Sequence, residues 1–111
     1  MGEIKELWCP PIEQLVCEIK AVNRAWKAAS ELFGEGCPLS TSSRDLKTCL
    51  QVRLLRCYAP KQVYLAIDKR ADGEKLYSLY LREPIENWRD ADHLPVRVAK
   101  EVLKHEDSKR D

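Results

Sequence analysis

Glycine is scarce in this chain, with four among 111 residues. None sits where a phosphate-cradling loop needs one, because Gly34 and Gly36 follow a helical pattern instead of opening one. Histidine is scarcer still. His93 and His105 are the only two, and neither belongs to a recognisable nucleophile motif. Cysteine is present five times, yet no two cysteines stand two to four residues apart, the spacing of a structural zinc knuckle. No apolar run approaches the roughly 20 residues that cross a bilayer. An excess of one charge is missing too: 19 Lys and Arg face 18 Asp and Glu. A dedicated nucleic-acid domain is usually clearly basic. These absences leave no positive evidence for catalysis, and neither a cofactor, a metal nor a membrane is expected.

What is present suits one globular domain. The hydrophobic fraction is 44% and the charged fraction 33%, which argues against global disorder. The expected domain covers 8–106, with 1–7 and 107–111 as flexible tails. The opening MGEIKELWCPP has no apolar core of signal-peptide length. Glu6 stands where a myristoylation signal carries Ser or Thr. A cytoplasmic address follows as the expectation, and there the five cysteines should be reduced, buried thiols. Cys49 and Cys57 lie about 12 Å apart on a helix, too far for a disulfide within one element.

Helical periodicity is clearest near the N-terminus. Ile12, Leu15, Ile19, Val22, Trp26, Ala29 and Phe33 follow one another at alternating steps of three and four, an unbroken a/d seam. Pro10 and Pro11 suit the start of this helix, and Gly34 and Gly36 suit its end. The loop GEGCPLSTSS follows, with Ser42 or Ser43 as the expected N-cap of the next element. Residues 44–58 read as a helix on Leu46, Cys49, Leu50, Leu54 and Cys57, or as a strand on Leu50, Val52 and Leu54; composition and the cap favour the helix. Two alternating runs, Val63, Leu65, Ile67 and Tyr77, Leu79, Leu81, flank Asp72-Gly73 and predict an antiparallel hairpin over 62–82. A polar stretch, IENWRDADHL, then leads to a closing helix with Pro95 in its first turn. The expected fold is a two-layer α+β domain, with helices covering the apolar face of the hairpin.

Charge is unevenly distributed. Residues 36–82 carry nine basic and four acidic side chains, whereas both flanking segments are net acidic. The Ser/Thr-rich loop, the helix opening SRDLK and the charged hairpin 68–75 together resemble the recognition helix and wing of winged-helix regulators, over residues 40–81. The resemblance implies nucleic-acid contacts from Arg44, Lys47, Arg53, Lys69, Arg70 and Lys75. It departs from that pattern in lacking a separate helix directly before the recognition helix. Were 48–57 a strand, Arg53, Tyr64, Tyr80 and Arg82 would line an open sheet face suited to stacking on bases. The leading expectation is a non-catalytic adaptor or regulator that works by protein–protein contact. Its first helix carries more apolar seam than a chain of this size is expected to cover, so a homodimer is expected, with the nucleic-acid reading as the alternative.

Overall fold

The computed structural model describes residues 8–69, 73 and 75–110, and the side chains of all of these except Lys69 and 105–110. The element order is α1 (Ile12–Phe33), α2 (Pro38–Tyr58), β1 (Val63–Lys69), β2 (Lys75–Ile85), β3 (Trp88–Leu94) and α3 (Val96–Arg110). This is the expected α+β architecture, and it resolves 38–58 in favour of a helix. Arg70 and Asp72 of the hairpin turn, and the expected tail 1–7, lie outside the described residues. The closing helix runs to Arg110, past the position where a C-terminal tail was expected.

Pro11 takes the N-cap position of α1, and Gly34 ends the helix at φ +90°, where its N–H donates to Ser30 O at 2.9 Å. Only residues 34–37 separate α1 from α2, far fewer than the ten-residue loop expected. The cap is Cys37, not Ser42 or Ser43: its Sγ accepts from the Ser40 N–H at 3.3 Å, and Pro38 fills the first helical position. The two helices pack along their length, as the Ser30–Ser40 hydroxyl contact (2.8 Å) and the Lys47–Asn23 bond (2.7 Å) record.

The hairpin register pairs Val63 with Leu81, Leu65 with Leu79 and Ile67 with Tyr77, so the six apolar residues share one face. A third strand then completes an antiparallel meander in the order β1-β2-β3. In sequence this stretch reads only as a polar connection, so β3 is a strand that periodicity does not predict. Its turn, Glu86-Asn87, has φ +49° and +72°, the two positive values that a two-residue type I′ hairpin requires.

One apolar core joins all the layers. Leu15, Val16 and Ile19 of α1 meet Leu54 and Leu55 of α2, Val63, Leu79 and Leu81 of the hairpin, Ala91 and Leu94 of β3, and Ala99 of α3. Leu15, Ile19, Leu54 and Leu79 are wholly enclosed. Burying each such side chain contributes roughly 1.5–3 kcal/mol. Ile67, near the turn end of the hairpin, stays half exposed.

The cysteines depart from the expectation of five buried thiols. Cys9 and Cys57 form a disulfide with Cα atoms 5.7 Å apart, tying the segment before α1 to the last turn of α2. Tyr58 reinforces the tie, its hydroxyl donating to Pro10 O at 2.6 Å. Cys49 is exposed, while Cys17 and Cys37 are half-buried.

Candidate functional site

The inward stripe of α2 is polar where sequence reading expected leucine and cysteine. Ser40, Lys47 and Gln51 are buried ahead of Leu54 and Leu55, whereas Leu46 and Cys49 face outward. Steps of seven, four and three place Ser40, Lys47, Gln51 and Leu54 on one helical face. Because these side chains are shorter or more polar than a leucine seam, the sheet and the helical hairpin do not close completely above the core. A cleft of about 700 Å³ remains. Its walls come from Lys20, Asn23, Trp26 and Lys27 of α1, Arg44, Lys47 and Gln51 of α2, and Ser78, Tyr80, Asp92 and His93 of the sheet.

Two lysines meet this cleft in different ways. Lys20 reaches from α1 to β3 and pairs with Asp90 (3.2 Å) and Asp92 (3.1 Å), with its ammonium 5.6 Å from the centre of the Trp88 ring. Burial raises the Asp90 pKa, but the Asp92 backbone N–H and the Lys20 ammonium outweigh it and hold this carboxyl below the ordinary range. Asp92 itself sits at φ +67°, a left-handed conformation that aspartate adopts more readily than most residues, and its Oδ2 is buried with no hydrogen-bond partner among the described residues. Lys47, by contrast, has no carboxylate at ion-pair distance among the described residues. It donates to the neutral Asn23 Oδ1 and lies 5.4 Å from the Trp26 ring centre. Burial pushes its pKa down. Asp92 opposes that shift, while Lys27, Lys20 and Arg44 add to it.

On the sheet side, Asp68 accepts from the Tyr80 hydroxyl at 2.5 Å and from the Ser78 hydroxyl at 2.9 Å. These two bonds, Tyr80 first, hold its carboxyl below the usual range. Ser78 also lies 2.7 Å from His93 Nδ1. With its own hydrogen given to Asp68, the Ser78 oxygen accepts from that ring nitrogen. Serine, histidine and aspartate thus meet, but the serine lies between the other two. In a hydrolytic triad the histidine stands between serine and carboxylate and takes the serine proton. This network orders the sheet face and does not prepare a nucleophile.

The residues singled out in sequence fall in different places. Ile12, Leu15 and Ile19 of the α1 seam enter the intrachain core, Val22 is half-buried, Trp26 lines the cleft, Ala29 is buried, and Phe33 is 66% exposed. The helix that packs against the seam is α2 of the same chain. Of the basic set, Arg44 and Lys47 share the cleft. Arg53 lies two turns further along α2, where its Nη1 donates to Trp8 O at 3.5 Å. Lys75 is exposed at the start of β2, while Arg70 and the Lys69 side chain lie outside what is described. The aromatic face expected beside a strand at 48–57 exists without that strand. Tyr64 stacks on Tyr80 with ring centres 5.6 Å apart, and the Arg82 guanidinium lies 4.6 Å from the Tyr64 ring centre. Gln51, Asp92 and Asn23 carried no sequence signal beyond the helical spacing of Lys47 and Gln51.

A second feature sits at the closed end of the helical hairpin. Leu32 and Phe33 end α1, Leu39 opens α2, and Leu46 lies two turns further along the Leu39 face of α2. Their exposures are 74%, 66%, 57% and 51%. No protein-family model matches the chain, no curated protein is significantly similar to it, and no solved structure matches it.

Proposed function

We propose that this chain is a small non-catalytic adaptor or regulator that works by protein–protein contact, as a homodimer joined through the closed end of the α1–α2 hairpin. The observation that carries this reading is the exposure of Leu32, Phe33, Leu39 and Leu46 on one supersecondary unit. Single exposed leucines are ordinary on a protein surface, whereas several concentrated at one end of a hairpin favour burial against a partner. Charge supports a second copy as that partner. Glu31 and Glu35 are exposed near the end of α1, and Lys27 and Arg44 are exposed a turn or more back from it. A two-fold arrangement can set the acids of one copy against the bases of the other. The seam left for dimerisation is then shorter than sequence reading expected, since its N-terminal half is spent on the intrachain core.

Leu39→Glu tests this reading at a position that the monomer leaves exposed. Light scattering should show a folded monomer where the wild type is dimeric, with an unchanged circular dichroism spectrum. A variant with the same mass as a dimeric wild type contradicts the proposed interface.

The Tyr64–Tyr80 stack with Arg82 favours one second reading, single-stranded nucleic-acid binding on the sheet face, with Arg44, Lys47 and Lys75 as flanking cations. It predicts affinity that falls steeply with salt, as released counterions would dictate. An oligonucleotide titration at two salt concentrations separates the two readings.

A further inference from the structure

Among the described residues, Lys47 is the one buried side chain with a formal charge. Buried charges are normally paired with an opposite charge. Here the neighbouring carboxylate, Asp92, pairs with Lys20 through Oδ1 and stands beyond ion-pair distance of Lys47, and the other ionic neighbours, Lys20, Lys27 and Arg44, are cations. What Lys47 has instead is a neutral amide oxygen, an aromatic ring and a cleft large enough for a small molecule. A lysine that is desolvated and set among other cations is the environment in which the free amine, the nucleophilic form, becomes accessible near neutral pH. Lys27 and Arg44 line the same cleft, and their side chains have no partner among the described residues.

We propose that Lys47 is the nucleophilic amine of a carbonyl-binding cleft, which forms an imine with a small aldehyde whose phosphate or carboxylate group pairs with Lys27 and Arg44. The nitrogen lone pair of Lys47 attacks the carbonyl carbon and forms the C–N bond. The carbonyl oxygen then leaves as water with the two hydrogens of the neutral amine, and no oxidant or reductant is needed. Lys20 competes poorly because two carboxylates hold its ammonium. Asp68, Asp90 and Asp92 also line the cleft, but Tyr80 and Ser78 hold the first and Lys20 pairs with the other two, which leaves Lys27 and Arg44 to meet the anionic group of the aldehyde. This inference does not use Leu32, Phe33, Leu39 or Leu46, although Lys27 and Arg44 also figure in the charge argument for the dimer, so the labelling is compared at a concentration where the chain is monomeric.

The test is competitive labelling of the full chain near neutral pH. Pyridoxal 5′-phosphate and glyoxylate serve as phosphate- and carboxylate-bearing probes, and acetaldehyde as an uncharged one. Each is trapped with cyanoborohydride and located by peptide mapping. Exposed Lys61 and Lys100 act as internal references. Lys47 should be labelled by an anionic probe severalfold above either reference, since its lowered pKa raises the free-amine fraction and Lys27 and Arg44 hold the anionic group in the same cleft. Arg44→Gln should reduce labelling of Lys47 by the anionic probes more than labelling by acetaldehyde, which falls only as far as Arg44 helps to lower the Lys47 pKa. Lys47→Arg should abolish the preferred adduct without creating another. Labelling of Lys47 no faster than Lys61 and Lys100 in the wild type would overturn the proposal, with no variant needed. Reversible binding of an anionic probe without a trapped adduct would overturn it too, leaving an ion-pairing site only.

Discussion

Gln51 and His93 are joined by a hydrogen bond from the Gln51 amide nitrogen to the His93 carbonyl at 2.9 Å, and the same nitrogen donates to Ala91 O at 2.8 Å. One side chain of α2 thereby satisfies two carbonyls of β3, the last strand of the sheet. An edge strand with few apolar residues has little else to hold it in place. Gln51→Leu keeps similar bulk but removes both donors. It should lower stability by about 1–3 kcal/mol, chiefly the cost of leaving the buried Ala91 carbonyl without its partner. Urea unfolding measures this, and a loss below about 1 kcal/mol would mean that β3 is held by other contacts.

Lys20 links α1 to the same strand from the other side of the cleft. Lys20→Met keeps the aliphatic stem and removes the charge shared by Asp90 and Asp92. Asp90 is 46% exposed, so water compensates for part of the loss, and about 1–2 kcal/mol is expected. The Asp90 pKa should rise in the variant, because the Lys20 ammonium is one of the groups holding it down. Carbon-detected NMR titration of the carboxyl gives that shift directly.

Acid should destabilise the fold through Asp68 and Asp90. Both carboxyls titrate below their ordinary value when folded, Asp68 through the Tyr80 and Ser78 hydroxyls and Asp90 through the balance described above. The native state therefore binds these protons more weakly than the unfolded chain. Their contribution to stability is fully present above the unfolded value of about 3.9 and is lost as pH falls through the lower, folded values. Thermal unfolding between about pH 6 and pH 2 should show this decline. Tyr80→Phe with Ser78→Ala should make it shallower.

Much of this fold was legible because apolar spacing and burial agree. The α1 seam, its glycine stop and the 62–82 hairpin each have a strong period and a turn or cap signal of their own. Two elements were harder to read. In α2 the buried face carries Ser40, Lys47 and Gln51, so hydrophobic periodicity pointed to Leu46 and Cys49, which face outward. In β3 only Ala91 and Leu94 are buried, and its turn lacks glycine, so nothing in RDADHL marked a strand. The same inversion hid the cleft. Polar residues on an inward helix face leave a lined space, and a reading based on apolar spacing looks for filled ones. The thiols were misjudged because sequence separation says little about proximity once a chain has folded back on itself. Cys9 and Cys57 are 48 positions apart and directly bonded.

That bond should be worth measuring. In the chain-entropy picture, closing a loop of 48 residues stabilises the folded state by up to about 4 kcal/mol. Reduction, or Cys57→Ser, should lower the urea midpoint accordingly and loosen residues 8–11 first. Hydrogen exchange across the first turns of α1 checks the second part. An unchanged midpoint after confirmed reduction would show that Tyr58 and the core hold this segment without the crosslink.

In the proposed homodimer a second copy covers Leu32, Phe33, Leu39 and Leu46. Sedimentation velocity of the wild-type chain, run from about one to about one hundred micromolar, tests it most directly, because a dimer with a micromolar dissociation constant must shift its population across that range. A concentration-dependent approach to a dimer of two 12.8 kDa chains is expected. A single monomeric species throughout would contradict it.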